Sequence, residues 1–574
     1  MAVKVEYTND SYGLTYTDSQ GNEEYVAKGK AFDIVGISID VDTEEVHYDV
    51  ESKKLGVAKQ FGMPKSDATD SKQVLKYVNK GLDVTSSTSK TITEVFQQKE
   101  DEYIAAGGKV DEVFSVLGVK DVTIDGKATK VFAGATNPCN NASYIGNLNV
   151  APAGNASDWF AFIKEIVKKS VALMFIIAAG FASILLAVLK EYIDVDNFII
   201  HLFGFSSSGK TTALYLATSI FGSPDVRCGN GLVSSWHGTR NALLRRLMGV
   251  NGVLLGLDEF SMSSERNVTQ LVYAISEGKE KERLSRDARL LNCLSGTYIV
   301  MSTGECSIYS KTNGNLGLTV RILEMQDIAW TESAEQSENI KRFVKSNYGH
   351  GAVEFGKKLS EWLLDNSLDI LFERYEDWRR YYCAMCTFKA RMERMGGRYA
   401  LIILAADLLN EWFGFEMDCK ALTKFLVDNE TNSGNDRDSY DGVYDKLVAC
   451  IRVNYNHFSH CYTSKGKLEQ YKAPEEWGIA EYLHDVVKVD GTDSRMLVLI
   501  AVPYFDKIVS KDLNYEDPKA IRKWLKSKGY TKCEEGHDYY RKVFDGIRNK
   551  YVALYLPGEA SDFEQTDLQW DKLQ

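Results

Sequence analysis

The chain has 574 residues, 44% hydrophobic and 26% charged, with a formal net charge of −12. The length suits about three or four domains, and the composition is ordinary globular usage. The acidic balance excludes nucleic-acid binding through a global positive field, so any such contact has to come from local basic patches. No apolar run follows the N-terminal "MAVKVEYTNDSYG", so no secretory signal is expected and the reading is cytoplasmic. Residues 1–155 alternate apolar and polar positions in "AFDIVGISIDV" and "EVHYDVE", with loops rich in Gly, Asn, Ser and Thr. They read as a β-rich α+β domain.

Val171 to Leu189, "VALMFIIAAGFASILLAVL", carries no charge. Hydropathy alone reads it as a membrane span. It ends a few residues before a β-forming run, and a helix apolar all round also fits the interior of a nucleotide-binding core. The expectation is a buried helix and no stable membrane association.

"NFIIHLFGF" then reads as a buried parallel strand. It runs into G-x-x-x-x-G-K-T from Gly204 to Thr211, followed by a helix ending at Gly222 with Pro224 beyond. Glycines let the loop curl its N–H groups onto phosphate oxygens. The lysine reaches the β- and γ-phosphates, and the next hydroxyl binds Mg²⁺. Gly204, Ser206, Ser207, Ser208, Gly209, Lys210, Thr211 and Thr212 are therefore the expected nucleotide-binding set, with ATP and Mg²⁺ as cofactors. "GVLLGLDEF" supplies a buried strand ending in acids. Asp258 is expected to share the metal with Thr211, and Glu259 to orient or deprotonate the attacking water. The implied fold is a parallel sheet flanked by helices.

Lys279 to Arg289 carries two lysines and three arginines against three acids. Such a run also reads as a solvated, mixed-charge helix face. Residues 156–335 form the expected nucleotide core and 336–430 a set of helices. "DNETNSGNDRDSYDG" reads as a loop or linker. Residues 431–574 read as helices, then a helix opened by Pro518 and closed by Gly529, then strand pairs with a turn. Helix plus hairpin suggests a winged-helix domain. Lys519, Arg522, Lys523, Lys526, Lys528, Arg541 and Lys542 would be its duplex-binding surface. Of ten cysteines, only Cys383 and Cys386 form a C-x-x-C. A structural zinc site needs four ligands, so ordinary reduced thiols are expected.

"HLFGFSSSGKTTALYLATSIFGSP", "SSWHGTRNALLRR", "GVLLGLDEF", "YAISEGKEKERLSR" and "YIVMSTGE" follow one another in that order. The series resembles the bacterial family catalogued as domain of unknown function 927, which includes helicases of staphylococcal cassette chromosome elements and related mobile-element replication proteins. The resemblance covers about Phe160 to Phe415. It implies an AAA+ ATPase related to the MCM helicases, with a helical lid at 336–430, acting as a ring, usually a hexamer, on DNA.

By that resemblance Asp258 and Glu259 are the acidic pair. Ser302 or Thr303 takes the sensor role, where the MCM residue is usually Asn. Arg321 is an arginine finger for the neighbouring subunit, and Arg398 is a sensor on the lid. The basic stretch becomes a pore hairpin touching DNA phosphates through Lys279, Lys281, Arg283 and Arg286. The expected function is an ATP-driven helicase or translocase on single-stranded or forked DNA, replicating a mobile element. An ATP-switched origin-binding initiator and a defence or signalling ATPase are the alternatives.

Overall fold

The computed structural model describes residues 2–52, 58–227, 229–263, 265, 267–279, 295–312, 316–318, 320–386, 389–434, 443–464, 467–489, 492–513, 515, 518–544 and 546–557. The chain is a mixed α/β protein, with four sheets among the described residues.

The sheet that positions the site has seven strands: β1 (Leu117–Ile124), β2 (Lys127–Ala133), β3 (Phe198–Phe203), β4 (Val233–Ser235), β5 (Val250–Asp258), β6 (Thr297–Thr303) and β7 (Ile322–Gln326). Their order is β7-β3-β6-β5-β1-β2, and β4 pairs with the carboxyl end of β5 while β1 pairs with its start. All neighbours are parallel except the β1–β2 hairpin. Strand β3 reads "FIIHLF" and every residue in it is buried. Helices cover both faces of a parallel sheet, so its strands are apolar throughout rather than alternating. β6 lies between β3 and β5, so the chain crosses over it on the way from one to the other. The β1–β2 hairpin falls within residues 1–155, yet it extends this sheet. Gly118 permits the join: its φ is +112°, and a Cβ there would lie 1.9 Å from the Asn251 carbonyl oxygen.

The helices of this region are α1 (Ala156–Lys169), α2 (Val171–Val188), α3 (Lys210–Thr218), α4 (Arg240–Leu247), α5 (Val268–Glu277), α6 (Ala334–Ser346), α7 (Gly351–Asp365), α8 (Leu368–Met385), α9 (Lys389–Phe413) and α10 (Cys419–Gly434). Asn155 starts α1 by accepting from the Ser157 N–H, and Ser170 starts α2 by accepting from the Leu173 N–H. Helix α2 is long and apolar enough to cross a membrane by length and composition. In the protein every residue after Val171 is buried, against β5 and β6 on one side and α9 on the other. Its small residues serve close approach. Ser183 donates to the Gly252 carbonyl, and a Cβ on Gly252 would sit 2.9 Å from that of Ala187. One continuous core runs from the sheet through α2 into α6–α10, so the helices expected as a lid share the core of the sheet.

Helix α10 continues through Asp428–Gly434, where the sequence reads as a linker. Glu430 is 1% exposed and accepts from the Tyr399 hydroxyl at 2.7 Å. That anchor draws an otherwise polar stretch into the helix.

The N-terminal region is β-rich, as expected. A three-stranded antiparallel sheet (Ala2–Tyr7, Ser11–Thr17, Glu23–Lys30) and a five-stranded sheet accompany a single long helix, Ser89–Ala105. After α10, the helix Val443–Val453 leads into another seven-stranded sheet. Strands Phe458–Ser464, Lys467–Tyr471, Gly478–Val489 and Thr492–Ala501 occupy a stretch that the sequence reads as helical. The apolar run of the last strand buries on both faces, and pairing with its neighbours overrides local propensity. Helix Pro518–Ser527 and the hairpin Tyr540–Phe544/Ile547–Leu556 follow as expected.

Candidate functional site

The loop from Gly204 to Gly209 joins the end of β3 to α3 at the carboxyl edge of the parallel sheet. β6 and β7 leave β3 on opposite sides there, which is where open α/β sheets form their ligand crevice. Gly204 has φ +119°, and a Cβ would fall 2.0 Å from Asp327 Oδ1; Gly209 has φ +86°, with Thr331 Oγ1 2.6 Å from its Cβ position. Both glycines are required by conformation and by space. Lys210 opens α3, and its Nζ donates to the carbonyls of Gly204 (3.0 Å) and Phe205 (2.6 Å). Burial lowers its pKa, while Glu305, Asp327, Glu259 and Asp258 pull the other way.

Strand β5 ends at the same edge. The Thr211 hydroxyl lies 3.3 Å from Asp258 Oδ1. The Thr303 hydroxyl at the end of β6 donates to that same carboxylate oxygen and accepts from the Glu259 N–H at 3.0 Å. Glu259 has φ +67°, a left-handed conformation. Such a backbone costs on the order of 1 kcal/mol or more for a non-glycine residue, and is typical of functional positions. Side chains alternate along a strand, so Ser302 points to the opposite face. There its hydroxyl meets His201 Nδ1 at 2.9 Å and accepts from Trp236 Nε1 at 2.9 Å. Of the two residues considered for the sensor position, Thr303 faces the acidic pair.

These groups line a cavity of about 360 Å³ with Ser206, Ser207, Ser208, Gly209 and Thr212. Thr212 is fully buried and its hydroxyl lies 2.5 Å from that of Ser337, which ties α3 to α6. The same cavity takes residues that sequence reasoning missed: Glu305, which accepts from the Ser206 hydroxyl at 3.0 Å, Thr331, and Ser337, Glu338 and Lys341 of α6. The α6 residues recur at three- and four-residue spacing on one face. That stripe is visible in the sequence, but not its position over the loop.

Arg321 and Arg398 are brought together in a different place. Both line a second cavity of about 590 Å³ with Asp194, Asp196, Glu376 and Arg379, and it shares no lining residue with the first. Arg321 precedes β7, donates to the Gly317 carbonyl at 2.7 Å and stacks 4.6 Å over the Tyr273 ring. Arg398 is 5% exposed. Burial pulls its pKa down to about 10; Asp196 opposes that and Arg321 adds to it. Neither arginine reaches the Lys210 cavity within one chain.

Lys279 pairs with Ser295 in an isolated bridge, so the two residues that flank 280–294 meet between α5 and β6. Lys281, Arg283 and Arg286 lie outside the described residues. In the C-terminal region, three of the expected duplex-binding charges are held in internal ion pairs, and Lys526 donates to the His537 carbonyl at 2.6 Å. Arg522 pairs with Asp506 and Asp538, Arg541 with Glu534, and Lys542 with Glu481. Lys519 and Lys523 are exposed. Among the described residues no group of His, Cys, Asp and Glu is arranged to hold a metal by itself, Cys383 and Cys386 included.

The strand order and the crevice define a mixed α/β protein whose fold matches a solved structure along nearly its whole length. That structure is titled "SCCmec type IV Cch - active helicase". It aligns at 21% identity over 96% of this chain and 97% of that one, with a TM-score of 0.65. Residues 9–292 match the family model described as "Domain of unknown function (DUF927)", which bears out the resemblance in the ordered motifs. The match starts in the N-terminal region, well before Phe160. It takes in the loop and the acidic strand, and stops short of Arg321 and Arg398. The apo structure of the NrS-1 C-terminal region aligns at 10% identity over 91% of this chain and 96% of that one; its TM-score of 0.25 carries no argument. No curated protein matches.

Proposed function

We propose that the chain is an ATP-driven DNA helicase or translocase of the AAA+ class related to the MCM helicases. It works in the cytoplasm as a homo-oligomeric ring, usually a hexamer, in replication of a mobile element. One observation carries the reading. Lys210, Thr211, Asp258, Glu259 and Thr303 converge at the ends of three parallel strands, the middle one inserted between the loop strand and the acidic strand. In this reading the β7-β3-β6-β5-β4 sheet is the P-loop core, α6–α10 are the lid, and helix Pro518–Ser527 with its hairpin is the winged helix.

ATP is held by the 204–212 loop. Its N–H groups and the α3 N-terminus favour phosphate oxygens, and Lys210 exchanges its carbonyl contacts for the β- and γ-phosphates. Thr211 and Asp258 place two oxygen donors together, which suits Mg²⁺, a cation that takes few protein ligands and completes its shell with phosphate and water. When bound, it neutralises charge on the transferring phosphoryl group. Glu259 orients the attacking water and accepts its proton. Thr303 fixes the Asp258 carboxylate and the Glu259 backbone together. Among the described residues no arginine lines the first cavity, while a second cavity gathers Arg321 and Arg398, and this supports a shared active site. One subunit supplies the pocket and its neighbour the arginines.

The basic stretch joins α5 to β6, so movement of β6 on turnover would shift it along a DNA strand. Its Lys279, Lys281, Arg283 and Arg286 are the proposed phosphate contacts. ATPase activity measured with and without single-stranded and duplex DNA, together with mass in solution, tests the reading. DNA-stimulated hydrolysis by an oligomer is expected. Hydrolysis indifferent to DNA would favour a signalling ATPase, and nucleotide-dependent DNA binding without unwinding would favour the initiator.

A further inference from the structure

Beneath the crevice lies a buried polar chain that the phosphate chemistry does not use. His201, in the middle of β3, is fully buried. Its Nδ1 lies 2.9 Å from the Ser302 hydroxyl and its Nε2 3.0 Å from the Cys306 carbonyl. The proton positions follow from donor counting. A carbonyl only accepts, so Nε2 carries the hydrogen. Trp236 Nε1 only donates, so Ser302 accepts from it and spends its one hydrogen on Nδ1. Every group is satisfied by the neutral Nε2–H tautomer, and burial pushes the histidine pKa down to about 4, in keeping with that form.

The two bonds reach different parts of the crevice. Ser302 precedes Thr303, which holds Asp258 and Glu259. Cys306 follows Glu305, which accepts from Ser206 of the phosphate loop. The same turn then anchors to β7, because Ser307 and the Ile308 N–H both donate to the buried Glu324 carboxylate. Gly304 is packed against the ring itself: a Cβ there would meet His201 Cε1 at 3.0 Å.

We propose that His201 is a positioning residue: its Nε2–H holds the 304–306 turn so that Glu305 meets the phosphate loop, and its Nδ1 holds Ser302 so that Thr303 meets the acidic pair. The role rests on the reading of the crevice as an ATP-hydrolysing site. It makes His201 the point where the loop strand feels the state of β6 and of the turn after it, with no contact to nucleotide.

Three substitutions separate the two bonds from packing. Gln can present its amide N–H at the Nε2 position, Asn can present its oxygen at the Nδ1 position, and Phe keeps only the ring, which stacks on Phe203 and meets Phe260 edge-on. ATP turnover, KM and thermal midpoint are measured for the wild type, His201→Gln, His201→Asn and His201→Phe. His201→Gln should keep kcat within about threefold of wild type. His201→Asn should lose kcat on the order of tenfold, as expected for one lost buried hydrogen bond, at a thermal midpoint close to that of His201→Gln. His201→Phe should lose more.

Equal kinetics for the Gln and Asn variants, or wild-type kinetics for His201→Phe, would overturn the positioning role while leaving the ATP site intact. No hydrolysis by the wild type would overturn the ATP reading itself, and the role with it.

Discussion

The Thr303 hydroxyl donates to the Asp258 carboxylate across the β6–β5 pair, and Ser302 next to it turns to the other side of the sheet. One strand thus serves the crevice with one residue and the buried polar chain with the next. Thr303→Val keeps the shape but leaves the Glu259 N–H without its acceptor. Losing such a contact costs about 1–3 kcal/mol, so turnover should fall roughly tenfold or more. Steady-state kinetics checks this; an unchanged kcat would mean that Thr303 plays no part in holding the acidic pair.

Lys210→Ala should abolish hydrolysis, because no other cation of the loop can follow the β- and γ-phosphates. Glu259→Gln should retain nucleotide binding and lose turnover, since an amide accepts no proton from water. Nucleotide binding by fluorescence titration beside phosphate release separates the two. Normal turnover by Glu259→Gln would remove Glu259 from the role of base.

Arg321 and Arg398 sit together, away from the Lys210 cavity. Arg321→Ala should bind ATP yet hydrolyse it poorly. Mixed with Lys210→Ala, it should regain activity, because mixed rings contain interfaces with an intact pocket and an intact arginine. Absence of recovery in mixed oligomers of confirmed composition would argue against action between subunits.

The buried His201 gives stability a pH dependence of definite sign. Its pKa is lowered from 6.5 to about 4, chiefly by burial, and Lys210 adds to the shift while the contacts to Cys306 and Ser302 oppose it. Below pH 6.5 the unfolded chain binds a proton that the fold refuses, so stability falls as pH falls towards about 4 and the contribution then levels off. Between about pH 7 and pH 5 the cost is about 2 kcal/mol. Urea unfolding at the two pH values should show that loss in the wild type and a smaller loss in His201→Gln. Equal losses in both would mean that His201 titrates normally.

Much of the crevice was legible in the sequence because its chemistry is local. Gly204 to Thr211 and Asp258–Glu259 are contiguous patterns, and the apolar run at Val171 was rightly read as an interior helix from its closeness to β3. What escaped depends on pairings distant in the chain. Strand alternation alone does not say which of Ser302 and Thr303 faces β5, since that depends on register with β5 and β3. Glu305 and Lys341 join the cavity only through a turn and a helix packed over the loop. Arg522 of the C-terminal helix and Arg541 of the strand after it read as part of one binding face, and only the fold shows Asp506 and Asp538 paired with the first and Glu534 with the second. Strands at 458–501 were missed because their pairing, rather than their composition, decides them.

Unwinding is the central claim, and strand displacement on a forked DNA substrate measures it directly. With ATP and Mg²⁺ the wild-type protein should release the labelled strand, while Lys210→Ala should release none and Lys281→Ala/Arg283→Ala should hydrolyse ATP at its basal rate without releasing strand. ATP hydrolysis by the wild type with no strand released from forked, tailed or bubble substrates would contradict the account.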